Sequence, residues 1–181
     1  SLHFARTASL VFKNASPAFA IEIWHFPEAL ATAVIAAGET FGHDIADFAE
    51  IERIAKRMVD ELLPKIRADR KRVRTMTLKV RYPDFSQEAH GQSLENSTDL
   101  EGPFYPLVAP LLRKAWRKRR PLRLVSVRFS NVEDGGAQLE MFAENEEKRR
   151  RLAGVMDRLN QSGRATVVQH GHQLAKRRPD A

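Results

Sequence analysis

The sequence predicts an α+β fold: an antiparallel β-sheet of about four strands with helices packed on one face. Three observations carry this expectation. Helical and strand periodicities take turns along the chain, in the order helix, strand, strand, helix, strand, helix, strand. The strand segments alternate apolar with polar residues, as half-buried antiparallel strands do. Hydrophobic residues make up 43% of the 181, enough for a core, yet the longest mild apolar run, Ala29 to Ala37, is too short to span a bilayer.

Residues 1–37 contain no glycine and read as an N-terminal appendage. Ile21 to Ala36 is expected as a helix, with Pro27 near its start or at a kink. From Gly38 the signals sharpen, and an initial strand is placed near Ala37 to Phe41. Asp44 or Asp47 then caps a helix running to about Ile66. Its apolar positions Phe48, Ile51, Ile54, Ala55, Met58 and Leu62 recur at spacings of three and four and form one buried stripe. Lys65 and Arg67 near its end complement the helix dipole.

Val73 to Tyr82 switches to period two. Met76, Leu78, Val80 and Tyr82 point one way; Thr75, Thr77, Lys79 and Arg81 point the other. Pro83-Asp84 marks a turn into a more polar second strand, Ser86 to Leu94, and Asn96 to Gly102 reads as a loop. A second helix is expected from Tyr105 to Arg119, ended by Pro121. Leu122 to Ser130 is the third clear strand, with Val125, Val127 and Phe129 inward and Leu124, Ser126 and Arg128 outward. Asp134-Gly135-Gly136 is a turn. Glu144 to Leu159 is a charged helix, Thr166 to Gln169 a last short strand, and residues 171–181 a basic tail.

Lys and Arg number 30 against 23 acids, and this excess favours polyanionic partners. The absence of cysteine removes disulfides, thiolate nucleophiles and cysteine zinc sites, and suits a cytoplasmic chain. No basic stretch precedes an apolar run as in a secretion signal. The chain opens on Ser rather than Met, as a fragment or a processed chain would. His170 and His172 have no evident third ligand. No acid/base pair, nucleophile constellation or glycine-rich phosphate loop stands out.

If the helices cover one sheet face, the other carries Thr75, Thr77, Lys79, Arg81, Ser126 and Arg128. Pattern alone favours a plain solvated face. Two basic runs flank these strands: Arg113-Lys114 with Arg117 to Arg120, and Arg67 to Arg74. Each reads equally as helix-terminal cations or as a DNA-facing surface.

Four segments are similar to a known family. Glu39 to Asp44 (ETFGHD) resembles the E-x-T-F-x-x-D entry to the little-finger domain of Y-family DNA polymerases. Arg74 to Phe85 (RTMTLKVRYPDF) resembles that domain's R-T-x-T-L-K-x-R-Y-x-D-F strand. Arg120 to Val127 (RPLRLVSV) is similar to R-P-V-R-L-L-G-V, and Gln138 to Phe142 (QLEMF) to the Q-L-x-L-F clamp-binding peptide. They stand in family order over about residues 38–170, and the bacterial DNA polymerase IV type is the branch they resemble.

The resemblance implies a DNA-binding accessory domain over 38–170. Arg74, Thr75, Thr77, Lys79, Arg81, Arg123, Ser126 and Arg128 would face primer-template DNA and hold its phosphates without reading bases. Gln138, Leu139, Met141 and Phe142 would dock on the processivity sliding clamp. Nothing in residues 1–37 supplies the family's catalytic palm carboxylates, so no catalytic residue, metal or cofactor is expected in this chain; the Mg²⁺ ions belong to the palm. A non-catalytic clamp-binding interaction module and an RRM-like RNA-binding module are the alternatives. The RNA module needs exposed aromatics on its strands, where this sequence puts Thr, Lys, Arg and Ser.

Overall fold

The structure, a computed structural model, describes residues 19–24, 34–118, 120–135, 143–161, 168, 170 and 171. The chain divides into two compact units, 1–135 and 136–181. The first holds β1 (Phe19–Trp24), β2 (Val34–Ile45), α1 (Phe48–Ala68), β3 (Lys71–Arg81), β4 (Gln87–Thr98), α2 (Tyr105–Ala115) and β5 (Leu122–Asp134). Its sheet has the order β1-β2-β5-β3-β4, with every neighbouring pair antiparallel.

The expected α+β sheet is present, with an additional edge strand. Ile21 to Ala36 does not form one helix: β1 and the opening of β2 occupy its two ends. The β-branched pair Val34-Ile35 favours strand, and Pro27 denies an α-helix one of its backbone donors. β2 therefore begins at Val34, before the expected Ala37. It pairs with β5 from Ile35↔Phe129 to Thr40↔Leu124, and its register shifts before Ile45↔Leu122.

α1 is capped by Asp47, the second of the two expected candidates. Asp47 has extended backbone, and its carboxylate accepts from the N–H groups of Ala49 (2.9 Å) and Glu50 (3.4 Å). Ile51, Ile54, Ala55, Met58, Val59, Leu62, Leu63 and Ile66 are buried along one stripe. Asp44 instead pairs with Arg123 at 3.6 Å. We expect Asp47→Ala to cost about 1 kcal/mol of stability and Asp47→Ser much less, read by chemical denaturation. Equal losses in the two variants would contradict the capping role.

β4 runs to Thr98, beyond the expected Leu94, and takes in part of the expected 96–102 loop. β5 likewise continues past Ser130 to Asp134, through Asn131 at φ 56°. Near that residue the β3–β4 register breaks between Val73 and Thr75. Such irregularities are bulges, which bend a strand without ending it. α2 stops at Ala115 rather than Arg119. There the Trp116 indole N–H donates to the Arg120 carbonyl at 2.7 Å, and its ring stacks on Phe48 at 6.1 Å, turning the chain before Pro121.

α1 and α2 pack on one sheet face. Val73, Met76, Leu78, Val80, Tyr82, Val125, Val127 and Phe129 are buried beneath them, and Phe104 meets Phe129 edge-on at 4.8 Å. Behind this core Arg67 is buried and ion-paired with Glu101 at 2.6 Å, and it also donates to the Asp99 carbonyl. The second unit contains α3 (Ala143–Gln161), two residues longer at its end than the expected helix. The Asn160 amide there exchanges hydrogen bonds with the Val168 backbone at 3.0 and 3.3 Å. The rest of the expected strand around Val168 lies outside the described residues. No helix among the described residues is long and apolar enough to cross a membrane.

Candidate nucleic-acid interface

The register settles which residues share the sheet face opposite α1 and α2. One row across β2, β5, β3 and β4 reads Gly38, Ser126, Lys79, Ala89. The next reads Ala36, Arg128, Thr77, Gly91. On either side lie Thr40, Leu124, Arg81, Gln87 and, across three strands, Ser130, Thr75, Ser93. The inward partners of these residues are the buried core. The open face therefore carries three cations over a floor of small residues. Strand spacing of about 4.8 Å places Lys79 beside Ser126 and Thr77 beside Arg128.

Six expected residues come together here: Thr75, Thr77, Lys79, Arg81, Ser126 and Arg128. Lys79 and Arg128 have no ion-pair partner among the described residues. Arg81 is held by its cross-strand neighbour: the Gln87 amide oxygen, turned toward it, accepts from Nε and Nη2 at 3.1 Å each. The hydroxyls are less free than their residue types suggest. Ser126 donates its proton to the Ala37 carbonyl at 2.8 Å, so its oxygen remains only an acceptor. Thr75 shares a hydrogen bond with Ser93 at 2.7 Å and accepts from the Asn131 amide at 2.8 Å.

Two other expected residues lie apart. Arg123 alternates with Val125, not with Ser126, and faces Asp44. Arg74 is exposed at the register break between Val73 and Thr75. Gln138, Leu139, Met141 and Phe142 lie outside the described residues, as does His172.

Sequence reasoning did not single out the floor. A Cβ on Gly91 would come within 2.7 Å of the Thr77 hydroxyl, and one on Gly38 within 3.3 Å of the Ser126 Cβ. These two glycines keep the face low where its central strands meet its flanks. The signal was present in β4, where Gln87, Ala89, Gly91 and Ser93 are the alternate residues.

The basic runs divide between structural and surface work. Arg67 is buried with Glu101, and Lys71 pairs with Asp134. Arg113 lies over the Phe48 ring at 5.4 Å and Lys118 over Tyr82 at 5.0 Å. Arg120 holds Asp84 at 2.9 Å. Arg119 lies outside the described residues.

The Asp84 carboxyl is pushed down to about 2, chiefly by hydrogen bonds from the Ser86 hydroxyl and backbone N–H, with Arg120 adding to them. A lowered carboxyl stays ionised through its ordinary range, so its contribution to the turn is present above pH 3.8 and lost only as pH falls through about 2. We expect the Ser86 amide resonance to titrate with a midpoint near 2; a midpoint near 3.8 would mean that the bonds are not formed in solution. Elsewhere, burial raises Tyr105, helped by its bond to Asp60, and raises Glu61; burial lowers Lys65. None of these groups lies on the open face. Among the described residues no three His, Cys, Asp or Glu side chains gather to hold a metal.

An antiparallel sheet with helices on one face and cations on the other is the architecture of the Y-family little-finger domain. The chain belongs to the impB/mucB/samB family, whose C-terminal-domain model matches residues 34–141. It is 77% identical over 141 residues to the DNA polymerase IV of Opitutus terrae, covering 78% of this chain and 36% of that protein. To the DNA polymerase IV of Treponema denticola it is 26% identical over 148 residues, again covering 78% and 36%. The chain thus spans about a third of the length of these relatives. In fold it matches the solved insertion ternary complex of Dbh DNA polymerase at a TM-score of 0.50 and 18% identity, covering 56% of this chain and 29% of that one.

Proposed function

We propose that the open sheet face holds primer-template DNA by its phosphates, without sequence preference, as the accessory domain of a DNA polymerase IV-type lesion-bypass polymerase. The carrying observation is the join of Lys79, Arg81 and Arg128 on the sheet face opposite α1 and α2, with a floor of Gly38, Ala89 and Gly91. Charge without a base pocket grips the backbone and leaves bases unread, so a bulky lesion meets no snug wall. In this reading two-metal nucleotide transfer belongs to the family's palm, this domain works without a cofactor, and the compartment is the cytoplasm, where bacterial DNA lies. An RRM-like role is disfavoured because the central strands β5 and β3 place Ser, Thr, Lys, Arg and Leu, and no aromatic residue, on that face.

The test is fluorescence-anisotropy binding of a labelled primer-template duplex across a salt series. The expected result is micromolar affinity, indifferent to sequence, with a log–log salt slope of about −3 or steeper. Absence of binding at low salt would overturn the proposal.

Clamp docking through Gln138, Leu139, Met141 and Phe142 is the second part of the reading. Those residues follow directly on the sheet unit, which ends at Gly135, and offer one amide and three apolar anchors. Phe142→Ala should abolish binding to a purified sliding clamp and leave DNA binding intact. Clamp binding unchanged by that substitution would exclude the segment.

A further inference from the structure

Phe85 is the most exposed of the large hydrophobic residues described, at 77%. It also holds a backbone φ of 62°, a region that bulky side chains seldom enter. Strained backbone persists only where its surroundings over-determine it, and here they do. The Phe85 N–H donates to the Tyr82 carbonyl at 3.0 Å, and the Tyr82 N–H to the Ser86 carbonyl at 3.0 Å. Asp84 accepts from the Ser86 backbone at 3.0 Å and from Arg120 at 2.9 Å. Lys118 reaches the Ser86 hydroxyl at 3.3 Å while lying over the Tyr82 ring. The turn is bolted on both sides of a ring that it leaves in solvent.

Its place gives the ring a partner. The turn follows directly on Arg81↔Gln87, the last pair of the open face. Three cations, Arg81, Lys118 and Arg120, surround it, against Asp84; Glu88 pairs with Val80 and so shares the helix-side alternation. One ring among cations suits an anionic partner better than an apolar one. Aromatic rings set beside phosphate-binding cations suit single-stranded nucleic acid, whose bases stack on them. Bases within a duplex are stacked on each other, so only an unpaired nucleotide offers a free face.

We propose that Phe85 is a stacking platform for an unpaired base where the DNA held by the sheet becomes single-stranded. This rests on the DNA-binding reading above and adds to it a preference for duplex–single-strand junctions. The platform is sequence-tolerant, because every base has a face to stack.

The test uses the 181-residue chain and three labelled DNAs: a blunt duplex, the same duplex with a single-stranded overhang, and that overhang made abasic. The abasic strand keeps the phosphates and removes the bases. The wild-type chain should bind the base-bearing overhang about tenfold more tightly than the abasic one, a difference of about 1.4 kcal/mol. Phe85→Ala should erase that difference, Phe85→Trp should keep it, and neither should change blunt-duplex affinity more than about twofold. Equal binding of the two overhangs by the wild-type chain would overturn the platform while leaving the sheet's role standing. An equal loss on blunt duplex in Phe85→Ala would overturn it too. No binding of any of the three would overturn the DNA reading itself. Thermal melting of both variants checks that they are folded.

Discussion

Replacing Lys79, Arg81 and Arg128 together with alanine should lower duplex affinity about a hundredfold at 0.1 M salt and flatten the salt slope by about three units. The slope counts counterions released, and each cation that neutralises a phosphate contributes about 0.9 to it. The loss should be the same for unrelated sequences, because phosphate contacts carry no sequence information. Stability should change by no more than about 0.5 kcal/mol per site, as for other surface substitutions. Among the described residues Lys79 and Arg128 leave no acid behind, and Arg81 leaves only an amide that water can satisfy. A loss confined to one DNA sequence, or an unchanged slope, would show that phosphates are held elsewhere.

The second large effect concerns stability. Glu101→Ala removes the carboxylate beside Arg67, whose side chain is only 8% exposed. Removing one partner of a buried ion pair costs about 3 kcal/mol or more, which in a chain of this size lowers the melting temperature by about 10 °C. The pair fastens the end of α1 to the end of β4 and the segment after it, where Thr98, Asp99 and Leu100 are also buried. Combining Arg67→Met with Glu101→Ala should recover part of the loss, because the guanidinium that Glu101 compensated is then gone as well. A Glu101→Ala cost below about 1 kcal/mol would mean that water reaches the pair in solution.

What could be read in advance followed the strength of local patterning. α1 was legible because its cap, stripe and terminal cations agree, and β3 and β5 because one face of each is apolar and the other polar. β4 was only partly legible. At a sheet edge its polar residues fall on both faces, so alternation fades after Leu94, although pairing with β3 resumes at Val73↔Thr98. α2 was read too long because its basic run looks helical, whereas at its end Trp116 stacks on Phe48 of α1, a tertiary contact. β1 was missed because most of it and the opening of its partner β2 were read into one helix from Ile21 to Ala36. The six face residues followed from alternation plus helices on one side. Arg74 and Arg123 were grouped with them by motif, and the register separates them. The commitment of the Ser126 proton to Ala37 and the solvent exposure of Phe85 are tertiary facts that no residue pattern announces.

Phe85 also offers a stability contrast. Phe85→Gly removes the strain of a positive φ, and relief of about 1 kcal/mol offsets most or all of the entropy that glycine adds to the unfolded chain. A variant as stable as the wild type, yet without the overhang preference, would mark the strain as kept for binding.

Amide chemical-shift mapping of the chain during titration with a primer-template duplex tests the central claim most directly. Perturbations gathered at Thr75, Thr77, Lys79, Arg81, Ser126 and Arg128, with Ile54, Met58, Leu111 and Leu112 on the buried sides of α1 and α2 unmoved, are the predicted result. Perturbations confined to α1, α2 or α3, with the sheet face silent, would contradict it.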